Sequence, residues 1–236
     1  YHRQVTGDLE KAYQTLELWS QIYPRRGALL ANAQDLLGGI SSQGTGRFDR
    51  AIEAALDGIA TDPDLPFPYM NLSNAQFYTD RFLDAENTIQ RAAGRNIQPV
   101  QLDILQYTLA VLAGDRERAD RIRDSAKGKR SSEHALAHGN ALALGRSGRL
   151  QAARDSSRRA AGLALQERER EVAAIYTAVR GVWEALCGNA AEARTAAGAA
   201  LELSTARDVE YAAGLALALS GRSARSADLA ADLAHV

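Results

Sequence analysis

The sequence predicts an all-α chain, an alpha-alpha superhelix of stacked helix-turn-helix repeats, on three observations. Of its 236 residues, 46 are alanine and only 6% are aromatic, so the core must be built from small side chains on closely approaching helices. Helix formers dominate, β-branched residues are sparse and only five prolines interrupt the chain, which nearly excludes a β-sandwich. The third observation is a spacing, Gly-x-x-x-x-Ala, that recurs along the whole chain. An apolar content of 46% also argues against disorder.

The spacing runs from Gly7 to Ala12, Gly46 to Ala51, Gly114 to Ala119, Gly148 to Ala153 and Gly188 to Ala193, with Asp80 to Ala85 and Gly221 to Ser226 as variants. Successive starts differ by 39, 34, 34, 34, 40 and 33 residues. At each step the glycine can take the left-handed backbone that ends one helix, and the alanine five residues on permits close helix approach. Phe48, Phe82, Leu9 and Leu150 follow the ladder residue by two, where a large side chain fills the space between paired helices. Pro24 and Pro63 fall 17 residues after their glycine, where a second helix should stop.

In chain order, helices are expected at 8–22; 28–44 and 47–60; 66–79 and 82–94; 100–113 and 115–126; 132–146 and 149–165; 168–187 and 190–203; 207–219 and 222–235. Pro99 suits a first helical position, Ser132-Glu133 opens the next first helix, and Thr205 with Asp208 resembles a capping box. Excess residues after Ser20 to Arg26 and after Leu163 to Arg170 imply a longer connection or a helix extension at those joints. Arg116 stands where a bulky apolar residue is usual, and the last step ends in Ser226 instead of alanine.

With its clustering at 34 residues, the ladder resembles a tetratricopeptide (TPR) array covering essentially the whole chain in about six and a half repeats. The organisation expected is one array over 1–236, with repeats near 1–27 (partial), 28–65, 66–99, 100–133, 134–173, 174–206 and 207–236. Because the chain starts at Tyr1 inside a repeat, a piece of a longer array is expected. More narrowly, the stretches from Thr6 to Pro24 and from Cys187 to Tyr211 are similar to the repeats that follow the kinase domain in large serine/threonine protein kinases of soil bacteria, especially acidobacteria. The 25 Arg against 3 Lys fit a GC-rich genome of that kind. That resemblance implies a kinase domain upstream of Tyr1, while the segment itself has no phosphate-binding glycine loop, His-Arg-Asp or Asp-Phe-Gly and is expected to be non-enzymatic.

The resemblance also implies a concave groove lined by first-helix positions 2, 5, 6, 9, 12 and 13. Those positions carry Ala33, Leu36, Leu37, Ile40 and Gln43; then Phe67, Met70, Asn71, Asn74, Phe77 and Tyr78; then Gln101, Ile104, Leu105, Thr108 and Val111. Further on come His138, Leu142 and Arg146, then Ile175, Val179 and Val182, and finally Tyr211 and Leu215. The richest patch is the third repeat, where amides can bond a ligand backbone while rings supply apolar area. Packing of Phe67, Met70 and Phe77 between adjacent helices is the plainer reading. The basic residues that clamp a terminal carboxylate in the chaperone-tail subclass are missing, so no such clamp is expected.

The remaining candidates are weaker. His134 and His138 share a helix face, but no third ligand is visible, so a solvated or groove-lining pair is expected, with no metal and no cofactor. Cys187, the only cysteine, is expected to be a small buried apolar residue. The basic run Arg116 to Arg130 reads as a solvated helix with the pairs Arg116/Asp120 and Glu117/Arg121. Without interleaved aromatics, and at a net charge of −1, no nucleic-acid partner is expected. No apolar run reaches the roughly 18 residues of a membrane span, and localisation is left open. The function expected is binding of a peptide or protein partner; the alternative is a self-associating, homo-oligomeric spacer, since an incomplete first repeat exposes apolar surface.

Overall fold

The computed structural model of the chain describes residues 8–22, 46–221 and 227–231. Among them are no strands, and the helices with defined bounds are α1 (Leu9–Ile22), α2 (Phe48–Thr61), α3 (Pro66–Tyr78), α4 (Phe82–Ala93), α5 (Val100–Leu112), α6 (Arg116–Ser125), α7 (Ser132–Arg146), α8 (Leu150–Gln166), α9 (Arg170–Leu186), α10 (Ala190–Leu203) and α11 (Arg207–Leu219). Residues 227–231 are helical as well. The all-α class is as predicted, and these helices begin and end within two residues of their expected bounds. The helix expected at 28–44, the ladder start Gly7, Pro24, Ser226, the joint after Ser20, and Ala33, Leu36, Leu37, Ile40 and Gln43 lie outside the described residues.

The ladder works as its chemistry requires. Gly114, Gly148 and Gly188 have φ of 73°, 75° and 81°, and the non-glycine member Asp80 is held at 60°. Five residues after their ladder residue, Ala51, Ala85, Ala153 and Ala193 are fully buried. The turns close through the same long backbone bond: Arg81 N–H donates to Gln76 O at 2.8 Å, Arg149 to Leu144 at 2.9 Å and Asn189 to Glu184 at 2.8 Å. Left-handed backbone costs an ordinary side chain about 1–2 kcal/mol. Asp80 is exposed. Asp80→Gly should therefore stabilise the protein by about 0.5–1 kcal/mol, net of the glycine's unfolded-chain entropy, as read by urea denaturation.

The excess at Leu163 to Arg170 resolves as helix extension: α8 and α9 have 17 residues each, against 14 in α2 and in α10. A second copy of the ladder geometry closes this joint. Arg168 sits at φ 66°, Glu169 N–H donates to Ala164 O at 2.9 Å, and Ala173, five residues on, is fully buried. The capping box at Thr205 does not form, because α11 begins at Arg207 and Ala206 is its N-cap; Ser204 Oγ accepts the Ala206 N–H at 3.1 Å instead. Pro99 stands one residue earlier than expected, as the N-cap of α5. A side-chain cap is made by Asp115, whose Oδ1 accepts the Arg118 N–H at 2.9 Å.

The chain divides into two compact units, residues 1–113 and 114–236. In the first, Ala55 and Ile59 of α2, Tyr69 and Leu72 of α3, Ile89 and Ala92 of α4 and Leu102 and Leu109 of α5 form one core. A buried bond from Thr88 Oγ1 to Gln76 Oε1, 2.8 Å, ties α4 to α3. The second unit is the alanine core that composition predicts. Ala137, Ala160, Ala164, Ala173 and Tyr176 pack together, and Ala174, Ala178, Ala197, Ala200, Val209, Ala213, Ala216 and Leu217 join α9, α10 and α11. Of α6, only Ala119 is buried, as expected of a helix opening on Arg116.

Candidate functional site

Pro66 opens α3, where its fixed φ suits the first turn and its missing N–H leaves no helical bond unmade. The helix then buries Tyr69, Leu72, Ser73, Ala75 and Gln76. Phe67, Met70, Asn71, Asn74, Phe77 and Tyr78 occupy the less buried stripe, with 51% of Phe67 and 65% of Tyr78 exposed. Two of the six are anchored from below, since Met70 and Phe77 pack against the core of the first unit. Phe77 also meets Phe82 at 5.6 Å and Tyr78 edge-on at 5.5 Å, while Tyr78 stacks on Phe48 at 6.0 Å. Phe48 and Phe82, the large residues two places after the ladder residue, thus brace this end of α3.

Exposed large apolar residues recur at one position of the first helices that the groove register leaves out in α5, α9 and α11. The residue two places before the ladder residue is Tyr78, Leu112, Leu186 and Leu219 in α3, α5, α9 and α11, all four exposed, Leu186 at 69%, while α7 carries Arg146 there. On α11, Tyr211, Leu215 and Leu219 continue it as an exposed apolar row at i, i+4 and i+8. Counting back two from each ladder step is the signal that finds Leu112, Leu186 and Leu219.

The other candidates are engaged differently. Gln101 is exposed at the start of α5, whereas Thr108 donates its hydroxyl to Ile104 O of the same helix at 2.9 Å. Leu105 belongs to the core of the first unit and not to a surface. His138 stacks face to face on Tyr176 at 4.1 Å; burial first, then the neighbouring His134, pushes its pKa down to about 4, so the ring is neutral at pH 7. Tyr176 is pushed up to about 12 by its own burial and then by the charges of Glu169 and Glu167.

Three expectations are corrected. His134 is not solvated: it is 3% exposed and bonded through Nδ1 to the Tyr176 hydroxyl at 2.9 Å, because it lies on the inward first turn of α7. Cys187 is exposed, because it is the C-cap of α9 and the turn at Gly188 carries it to the surface. In α6, Glu117 pairs with Arg121 at 3.7 Å, but Asp120 pairs with Arg123 at 2.7 Å and not with Arg116.

Paired helices, left-handed turn residues and buried alanines at fixed spacing define a helical-repeat fold of the tetratricopeptide type. Solved structures agree: a tetratricopeptide repeat protein from Parabacteroides merdae superposes with a TM-score of 0.58 at 14% identity, over 98% of this chain and 87% of that one. A chain of the APC/C hetero-tetramer Cut9-Hcn1 gives 0.58 at 15% identity, over 97% of this chain and 46% of that one. PilW, a type IV pilus biogenesis factor, gives 0.52 at 12% identity, over 86% and 92%. At these identities the likeness is one of fold. No protein-family model matches the chain, and neither does any curated protein. No described helix is long and apolar enough to cross a membrane.

Proposed function

We propose that the chain is a non-catalytic interaction module that takes a peptide or protein segment along its first helices, with α3 as the main contact. The observation that carries this reading is the α3 stripe, where exposed Phe67 and Tyr78 flank the amide-bearing Asn71 and Asn74. Such a stripe gives a bound segment apolar anchors at both ends and hydrogen-bonding groups between them. Gln101 on α5 stands at a first-helix position in the same unit and would contribute a contact there, while the neutral ring of His138 on α7 occupies a first-helix position of the second unit. The repeats' resemblance to those after bacterial serine/threonine kinase domains supports a regulatory or scaffolding arm as the setting.

The test uses a peptide selected from a random displayed library on the intact chain. Phe67→Ala with Tyr78→Ala should weaken its binding by at least about tenfold, with the fold retained on circular dichroism because neither ring belongs to the core. Phe77 is unsuited to the test, since its ring also packs on the core. Unchanged affinity would move the contact away from α3.

A further inference from the structure

We propose that His134, Glu167 and Glu169 form a binding site for a divalent transition-metal cation of the zinc class, set between the start of α7 and the turn joining α8 to α9. One ligand atom from each of the three residues lies within 4.8 Å of the others. His134 Nε2 is 3.2 Å from Glu169 Oε2 and 3.8 Å from Glu167 Oε2. Zinc holds nitrogen and carboxylate oxygen at about 2.0–2.2 Å, so neighbouring ligands of a tetrahedral ion stand about 3.3–3.5 Å apart. The two histidine-to-carboxylate distances bracket that range.

The second observation is the state of the histidine. Its side chain is 4% exposed, yet Nε2 has no hydrogen-bond partner although a carboxylate oxygen stands at hydrogen-bond distance. A buried ring nitrogen left unbonded costs roughly 1–3 kcal/mol. Ligands of one cation lie about 109° apart and so off each other's bond axes, which gives this combination of short distance and missed alignment. The rest of the ring is arranged to match: Nδ1 meets the Tyr176 hydroxyl at 2.9 Å, so an N–H there can donate to the phenol oxygen and leave the Nε2 lone pair facing the carboxylates.

The carboxylates are themselves oriented. Ser131 N–H donates to Glu167 Oε2 at 2.8 Å, and Ser131 Oγ donates to Glu169 Oε1 at 3.1 Å, which turns Glu169 Oε2 toward the histidine. Arg130 Nε stands 3.8 Å from Glu167 Oε2, one cationic group against two anionic ones, so the cluster keeps its attraction for a cation. An open cavity lined by Gly128, Arg130, Gln166, Glu167 and Arg168 brings solvent to the Glu167 side of the cluster. A bound cation would link two turns a repeat apart in sequence and brace α7 against α9.

Calorimetric titration of the chelator-treated intact chain with Zn²⁺, and the visible spectrum of its Co²⁺ form, test the site. One equivalent of Zn²⁺ should bind and raise the melting temperature, and Co²⁺ should give the intense bands of a four-coordinate ion. Ca²⁺, which needs six or more oxygen ligands, should not compete. Glu169→Gln keeps the Ser131 contact and the fold but should weaken Zn²⁺ binding about 100-fold; His134→Gln should do the same, and His138→Gln should leave binding intact. Circular dichroism of each variant confirms that it is folded. No stoichiometric Zn²⁺ binding by the wild type, binding unchanged in folded Glu169→Gln, or Ca²⁺ competing equally would each overturn the assignment; the first would leave His134 and the glutamates as a structural polar cluster only.

Discussion

Glu184→Ala is expected to lower stability by about 3–5 kcal/mol, or roughly 10 °C in melting temperature. Glu184 lies on the last turns of α9 and is 1% exposed. Arg154 of α8 grips it with both arms, Nε to Oε1 at 2.6 Å and Nη2 to Oε2 at 2.8 Å, and Asn189 Nδ2 adds a bond to Oε2 at 2.8 Å. Arg180 also faces this carboxylate, and its own pKa is lowered by burial and by the adjacent Arg158 charge. Truncation at 184 leaves partly buried guanidinium groups without their shared anion, which costs more than the pair itself contributed.

The pH dependence of this pair has a definite sign. Burial pushes the Glu184 carboxyl up, but the bonds from Arg154 and Asn189, with the charges of Arg154 and Arg180, outweigh it and hold the pKa below the ordinary 4.5. A carboxyl depressed on folding contributes stability that is complete above its unfolded pKa and is lost as the pH falls through the folded value. The melting difference between wild type and Glu184→Gln should therefore be constant near neutrality and shrink below about pH 4.5. A difference that persists undiminished in acid would assign the loss to packing.

Gly181→Val is the second large effect, with an expected loss of about 3 kcal/mol. Gly181 sits where α9 crosses both α10 and α11, and a Cβ there would stand 3.1 Å from Ala193 O, 3.1 Å from Ala216 Cβ and 3.4 Å from Ala197 N. Two of the three neighbours are backbone atoms of a helix whose Ala193, Ala197 and Ala200 are fully buried, so α10 can yield only by moving away as a body. Alanine at 181 should cost less, about 1 kcal/mol, because its helix propensity offsets part of the crowding. The internal control is Gly162→Ala in α8, where an added Cβ meets nothing within 4 Å and should stabilise by about 0.5–1 kcal/mol. Urea denaturation of the three variants reads the contrast, and equal effects at 181 and 162 would sink the packing argument.

Much of the fold is legible in the sequence because each repeat imposes two requirements that single residue types meet. A positive φ calls for glycine and a vanishing interhelical gap calls for alanine, so the chain advertises both at a fixed spacing. Where another residue fills the slot the signal disappears: Arg168 holds the same left-handed turn at 66°, and only the structure reveals that the joint before α9 follows the ladder. The α3 stripe is readable as first-helix register, but the support of Met70 and Phe77 by the core is not, because it depends on neighbours brought in from α2, α4 and α5. The cluster at His134 is hidden for a related reason. Its glutamates lie in a turn a whole repeat away, and no local spacing connects them to the histidine.

The interaction surface is tested most directly by site-specific photo-cross-linking. Benzoylphenylalanine is placed singly at Phe67, Tyr78 or Leu186 on first helices, and at Leu83 or Leu165 on second helices, all five exposed. The library-selected peptide is then added and the sites of attachment mapped by mass spectrometry. Cross-links from Phe67 and Tyr78, with none from Leu83 or Leu165, are the predicted result. Attachment from Leu83 or Leu165 with none from Phe67 or Tyr78 would contradict it and place the partner on the second helices.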